Sequence, residues 1–457
     1  MVAQIKKRLS DSKAARWTAL IIVSFTMMWG YFLTDALSPL MTMLEESMGW
    51  TSSEFGTFNW AYCWFNVFLF MLVFGGIILD KMGVRFTGVL TCLLMLAGAV
   101  IKYYAVEFIS PGPEAGTIFG MRTQVFVACL GYAIFAVGTE NCGITVSKVI
   151  TKWFTGHELA LAMGVQVAVA RLGTAAALAF SPMIVKHFSM SAPLLFSAIL
   201  LCIGFLAYLV FCRMDRQFDR EVTLQQESSD DVFKIQDLKL IITNRGFWLI
   251  ALLCLMFYSA VFPFMKYATS LMENKYGVET TLAGLIPTLI PFGNLIMTPL
   301  FGGIYDKKGK GATIMIIGSV LLILVHVLFA LPVMNYWWFA AFVMIVLGVA
   351  FSLVPSAMWP SVPKIIPQKL LGSAYALIFW VQNIGLGFVP LLIGRILDKY
   401  CIVGTRLVNG AEVTQYNYTL PMCIFAAFGV VALLLAIRLK AVDRKNGYGL
   451  EQPNIKA

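Results

Sequence analysis

Twelve apolar runs of about 20 residues or more set the limits on what this chain can fold into. They fall at roughly 17–44, 54–79, 85–106, 123–147, 159–184, 191–212, 247–271, 281–304, 312–333, 336–362, 371–396 and 417–438. Each is long enough to cross a hydrocarbon core of about 30 Å as a helix. Backbone polar groups in lipid must be satisfied within their own segment, and the alternating pattern of barrel strands is missing. The expectation is therefore an all-α membrane protein with twelve transmembrane helices. Composition agrees: only 13% of residues are charged, against about 25% in a soluble domain. The first run follows a basic start, Lys6-Lys7-Arg8, but is too long for a cleavable signal and lacks a small-residue cleavage site.

A net charge of +10 raises the question of nucleic acid, and its distribution answers it. Lys and Arg crowd the N-terminal tail, the segment 213–246, the C-terminal tail and every second loop between the runs. The intervening loops are poor in both, and the first carries Glu45 and Glu46. That is the positive-inside pattern, with both termini cytoplasmic, and no nucleic-acid partner is implied. The cysteines lie almost all within the runs; Cys401 is the clear external one, so no disulfide framework is expected.

Within the runs, charge is rare enough to be read residue by residue. Glu140 and Arg171 stand on the fourth and fifth runs, each a few ångströms from the expected bilayer midplane when counted at about 1.5 Å per residue. A charge at that depth costs about 2.5–3.5 kcal/mol on insertion scales, so it faces a partner or a water-filled path. Two readings follow: a structural ion pair, or a clamp for a zwitterionic solute. Asp35 lies in the outer part of the first run beside Pro39 and is a candidate gate or proton site. Lys266 is placed near the outside, where its long stem can snorkel. His326 reads as a packing residue.

The chain also repeats itself. Gly76-Ile-Ile-Leu-Asp80-Lys81-Met-Gly83-Val-Arg85 closes the second run, and Gly302-Gly-Ile-Tyr-Asp306-Lys307-Lys-Gly309 closes the eighth. One G-x-x-x-D-K-x-G would be weak evidence; two copies six runs apart are strong. The same offset aligns Val169-Ala-Arg171-Leu-Gly173 with Val381-Gln-Asn383-Ile-Gly385. The expected organisation is a tail (1–16), a six-helix bundle (17–212), a cytoplasmic linker (213–246), a second bundle (247–438) and a tail (439–457). Parallel halves of this kind mark the major facilitator architecture. Gly76, Asp80, Lys81, Gly83, Arg85, Asp306, Lys307 and Gly309 are expected to govern conformational exchange. Pro263, Pro287, Pro291, Pro355, Pro360 and Pro363 would let the helices of the second half flex.

The Gly76–Arg85 motif resembles the family-wide motif of major facilitator transporters. Further stretches resemble one branch, the major facilitator superfamily domain-containing protein 1 family of lysosomal dipeptide transporters. They are Trp64-Phe-Asn66, Glu140, the run from Trp153 to Leu161, Ala170-Arg171-Leu-Gly173, Ala260-Val-Phe-Pro-Phe264, Met358-Trp359-Pro360-Ser361-Val-Pro363 and Gln382-Asn383-Ile-Gly385. The resemblance covers all twelve runs. It implies that Glu140 and Arg171 hold the amino and carboxyl ends of a dipeptide, with Trp64, Asn66, Gln382 and Asn383 as further substrate contacts. Residues 1–16 contain no acidic dileucine sorting signal, which points to a bacterial relative in a cell (inner) membrane rather than a lysosomal one.

Other chemistries find no support. His157-Glu158 begins like a zinc-protease helix, but position 161 is Leu, so no metal is expected; Gly309-Lys310 lacks the earlier glycine of a phosphate loop. No nucleophile–base constellation suggests an enzyme, and no cofactor is implied. The expected function is a secondary, non-ATP transporter of small zwitterionic solutes, foremost dipeptides, facilitative or proton-linked, working by alternating access as a monomer. The alternatives are a carrier for another small organic solute and a transporter-derived receptor.

Overall fold

In the computed structural model of the chain, residues 12–154, 159–222, 238–366, 371–408 and 411–453 are described. Lys6, Lys7, Arg8, the His157-Glu158 pair, linker residues 223–237 and the side chains of Asp80 and Asp306 lie outside the described residues.

Helix α1 (Lys13–Asp35) starts at Ser12, whose side chain accepts from the Ala15 amide. Helix α2 (Met41–Met48) closes on left-handed Gly49. Helix α3 (Ser52–Ala61) opens with a reciprocal capping box: Thr51 Oγ1 accepts from Glu54 N at 3.2 Å, and the Glu54 carboxylate accepts from Thr51 N at 3.0 Å. A π-helical turn at Trp64–Phe68 and a left-handed Phe70 (φ 53°) then separate α3 from α4 (Met71–Phe108). The run 54–79 is therefore broken at its middle, unlike the continuous second helix the sequence predicts. Helix α4 bends at Gly83 (φ 78°, ψ 174°), the end of the first loop motif, and continues through the third run.

After a small ribbon of β1 (Thr117–Ile118) and β2 (Met121–Arg122), α5 (Thr123–Phe154), α6 (Leu159–His187) and α7 (Ala192–Val222) complete the first half. The second half comprises the short α8 (Leu238–Ile242), then α9 (Arg245–Tyr276), α10 (Leu289–Lys308), α11 (Gly311–Ala330), α12 (Trp337–Ile365) and α13 (Leu371–Tyr400). A hairpin of β3 (Ile402–Val408) and β4 (Ala411–Tyr416), which the sequence reading does not foresee, precedes α14 (Thr419–Asn446). Pro355, Pro360 and Pro363 all sit inside the continuous α12. Among the described residues, eleven helices are long and apolar enough to cross a membrane; the broken run 54–79 is outside that set.

Helices of the first half pack mainly on one another, α4 on α5 and α7, α1 on α6 and α7. So do those of the second half, α11 on α12 and α14, α9 on α13 and α14. The two groups meet where α3 lies along α13 and α6 along α10. The end bearing β3–β4 is called here the hairpin face and the opposite end, with its Lys- and Arg-rich loops, the basic face. On the hairpin face the halves are tied by the Lys266–Asp35 pair (2.7 Å) and the Lys186–Glu279 pair (3.3 Å). Asp398 also accepts from the Ser52 and Ser53 amides at the start of α3, and Thr42 donates to Glu273. At mid-depth Cys63 Sγ donates to Asn383 O (2.6 Å) and the Trp380 indole to Val67 O (3.2 Å). These bonds between the halves lie at two levels, the hairpin face and mid-depth.

Candidate functional site

Glu140 projects from the middle of α5 and is half-buried. The Tyr62 hydroxyl, from the turn that ends α3, donates to Glu140 Oε1 at 2.8 Å. The Asn383 amide approaches the same carboxylate from α13, in the other half. Asn383 also donates to Phe379 O (3.0 Å), and its Oδ1 is buried with no partner among the described residues.

Arg171, on α6, forms no ion pair among the described residues; three aromatic rings surround it instead. Its guanidinium carbon lies 5.6 Å from the ring centroid of Tyr31 (α1), 5.1 Å from Phe262 (α9) and 5.6 Å from Phe351 (α12). Ring faces attract a cation by about 0.5–2 kcal/mol each, so they hold it in place without neutralising it. Its planar two-donor fork has the geometry that pairs with a carboxylate. Tyr31 lies within electrostatic reach of Arg171, Glu140 and Asp35. Glu140 and Arg171 do not bond each other.

The other expected contacts divide. Asn383 joins the Glu140 surroundings. Gln382 is buried and turned to α9, where its Oε1 accepts from Cys254 Sγ (3.4 Å). Trp64 and Asn66 lie in the π-helical turn. Trp64 packs edge-on to Trp60, with ring centroids 5.6 Å apart. Its indole N–H and both amide atoms of Asn66 are buried without partners among the described residues. No hydrogen bond joins either residue to Glu140 or Arg171 there. π-turns inside helices are frequent at functional sites, and a sequence gives no warning of one.

Asp35 ends α1 and accepts from Lys266 of α9 at 2.7 Å; the same ammonium donates to Ser38 Oγ (3.0 Å) and Thr34 O (3.1 Å). Lys266 therefore turns into the protein rather than snorkelling, because Asp35 and the carbonyl end of α1 outbid the headgroups. His326 packs between Phe264 and Phe425, its Nε2 bonded to Ala260 O (3.0 Å). Lys102, the cation in the interior of the run 85–106, is a signal of the same kind as Glu140 that the sequence reading passes over; Tyr31, Tyr62, Phe262 and Phe351 carry no such signal, since they look like ordinary packing residues.

Of the loop motifs, Gly76 and Lys81 lie on α4, and Arg85 pairs with Asp219 (3.1 Å) and Asp215 (3.7 Å) at the end of α7. Lys152 binds both acids as well, at 2.7 and 2.8 Å, and the Trp153 indole donates to Asp215. The second copy ends α10, with Lys307 exposed and Gly309 capping the helix at φ 69°. Its following loop is covered by the C-terminal segment: Lys310 N and Gly311 N donate to Glu451 O and Leu450 O. The Glu451 carboxylate accepts from Thr313 N (2.9 Å) and Oγ1 (2.8 Å) and faces Lys440 at 3.4 Å.

The eleven long apolar helices described above, in two groups, make this a multi-pass integral membrane protein, and the family and relatives it matches make it a secondary transporter. The chain belongs to the Major Facilitator Superfamily, whose family model matches residues 20–390. Among curated proteins it is homologous to the human lysosomal dipeptide transporter MFSD1, 25% identical over 448 residues, 96% of this chain and 88% of that one. The zebrafish (Danio rerio) lysosomal dipeptide transporter MFSD1 is 27% identical over 394 residues, covering 84% and 81%. Among solved structures, the nucleoside transporter NupG superposes with a TM-score of 0.69 at 15% identity, covering 93% of this chain and 99% of that one. A bacterial homolog of the human lysosomal transporter Spinster, inward-facing and unoccupied, gives 0.66 at 12% identity, covering 98% and 99%. At such identities these structures speak for the fold alone.

Proposed function

We propose that this chain carries dipeptides across a membrane by alternating access. The observation that supports it most is the pair of opposite mid-depth charges that do not neutralise each other, in a homologue of lysosomal dipeptide transporters. A dipeptide is itself such a pair, with its charged ends up to about 7 Å apart when extended. Its ammonium group would bind Glu140, already oriented by Tyr62, and its carboxylate would take the Arg171 fork. Charge-assisted bonds of this kind are about twice as strong as neutral ones. The Asn383 amide stands where it can meet the substrate from the second half. Trp64, Asn66 and Gln382 would shape the surrounding wall. With 17–212 and 247–438 as moving bundles, rocking about this site exposes it to one side at a time. The bonds on the hairpin face fit a state closed there. The charge pattern then makes the basic face cytoplasmic, both termini with it, and this state inward-facing.

The membrane in which it works is a separate matter. The curated relatives are named lysosomal.

Thermal unfolding of the purified protein tests the substrate class. Free alanyl-alanine should raise the melting temperature in proportion to the logarithm of its concentration, as any ligand of the folded state does. The N-acetylated, C-amidated analogue should not. Equal stabilisation by both would refute the clamp.

A further inference from the structure

Two lysines hold the carbonyl end of α1, and they come from opposite halves. Lys266, from the second half, carries the bonds to Asp35, Ser38 and Thr34 described above. Lys102 stands on α4, in the same half as Asp35, and is only 1% exposed. Its ammonium donates to Leu33 O at 3.1 Å and lies 4.3 Å from the ring centroid of Tyr132, 5.3 Å from Phe135 and 5.4 Å from Phe58. Among the described residues no carboxylate pairs with it. Burying an ammonium without its counter-ion is expensive, and the rings and the helix end offset only part of the cost. A methionine would fill the same aromatic slot without a charge. The charge therefore needs a reason other than packing.

The reason lies two residues along α1. A state open on the hairpin face would part α9, and Lys266 with it, from α1. Asp35 keeps its own half: Tyr31 and Ser38 on its own chain segment, Tyr132 from α5 and Lys102 from α4. Glu140 (α5) and Arg171 (α6) bear on the same region through Tyr31. An isolated carboxylate in such surroundings takes up a proton or finds another cation. Tyr132, over whose ring Lys102 lies, donates to Thr34 O at 2.8 Å, the same carbonyl that Lys266 binds. Leu33 and Asp35 differ by about 3 Å along the helix axis and by about 200° around it, so the flexible lysine would reach the carboxylate around the open C-terminal end of α1.

We propose that Lys102 is the reserve counter-charge of Asp35: it takes over the carboxylate when Lys266 leaves, so that the hairpin face opens without a proton binding at Asp35. Lys102 thereby makes this step of the cycle independent of pH. The proposal rests on the carrier reading only in requiring a state open on the hairpin face.

A distance measurement across that face tests it without any substrate. In the full chain the exposed Cys202 and Cys423 are replaced by serine. Cysteines introduced at exposed Ser189 and Asn335, one on each half, carry spin labels. Distance distributions in lipid nanodiscs are compared at about pH 5.5 and about pH 8. The wild-type open fraction should agree within about twofold between the two. In Lys102→Met it should fall by at least about tenfold at the higher pH, since opening would then take up a proton. The double variant Asp35→Asn, Lys102→Met should be flat again. A flat Lys102→Met profile, a drop that persists in the double variant, or a wild type that never opens would each overturn the proposal. Should Lys102→Met alone not fold, recovery of folded protein in the double variant supports the pairing, and failure of both overturns it. Adding alanyl-alanine to the same samples keeps the two readings apart: no response in the wild type sinks the dipeptide assignment and leaves the pH test standing.

Discussion

The Tyr62 hydroxyl orients Glu140 through a 2.8 Å bond, so removing it probes the amine end of the proposed clamp without touching a charge. Tyr62→Phe should keep the ring packing and weaken competition by a free dipeptide about three- to tenfold, the worth of a hydrogen bond to an ionised group less the relaxation that follows. Arg171→Lys should rescue little, because it keeps the charge but loses the planar fork, and the three rings are spaced for a guanidinium. A competition assay with one labelled dipeptide reads both; a full-strength Arg171→Lys would show that the fork is not used. The site was only partly legible in the sequence, for a physical reason. Glu140 and Arg171 stand out because lipid penalises charge at mid-depth. Their partners are tyrosines and phenylalanines, which are cheap to bury and abundant here, so nothing in the sequence marks Tyr31 or Phe262 as different from Phe264. Gln382 and Asn383 are adjacent and of similar chemistry, yet they face different neighbours, since consecutive positions on a helix point about 100° apart.

Between the residue and the molecule stand the two loop motifs, which the repeat in the sequence pairs and the backbone treats alike. Gly83 and Gly309 have φ of 78° and 69° with extended ψ, a region open almost only to glycine. Their surroundings differ: a Cβ at Gly83 would meet open space, whereas one at Gly309 would lie 2.5 Å from Glu451 O. Gly83→Ala should cost about 1–3 kcal/mol of backbone strain. Gly309→Ala should cost more and also release the C-terminal segment; comparing their thermal midpoints in one detergent checks the order. Glu451 adds a pH dependence. Burial works to raise its pKa, but the bonds from Thr313 and the Lys440 charge prevail, and it titrates below the usual carboxylate range. Its contribution is therefore complete above the unfolded-state value of about 4.3 and is lost as pH falls through the lower folded value. Limited proteolysis of the tail should stay slow from neutral pH to about 5 and quicken below about 4, with Glu451→Gln cleaved quickly throughout. The repeat was readable because it recurs at a fixed offset. The docking of the tail was not, since residues 447–453 read as a polar end. The break at 62–70 hid inside an apolar run, because hydropathy carries no information about backbone register.

At the scale of the whole molecule, the account holds that the two halves share one zwitterion between them, with Glu140 and Arg171 from the first half and Asn383, Phe262 and Phe351 from the second. A substrate bound this way bridges the halves while neither charge depends on the other for its place in the fold. Removing both charges should therefore leave a folded bundle, because no orphan ion remains to be buried, and should abolish transport. A structural role would predict the opposite. The most direct measurement is uptake of labelled alanyl-alanine into proteoliposomes by wild type and by the double variant Glu140→Gln, Arg171→Met at matched, monodisperse reconstitution. The account predicts saturable uptake by the wild type that free dipeptide competes and doubly blocked dipeptide does not, with background flux in the double variant. Near-normal flux through the double variant would contradict it.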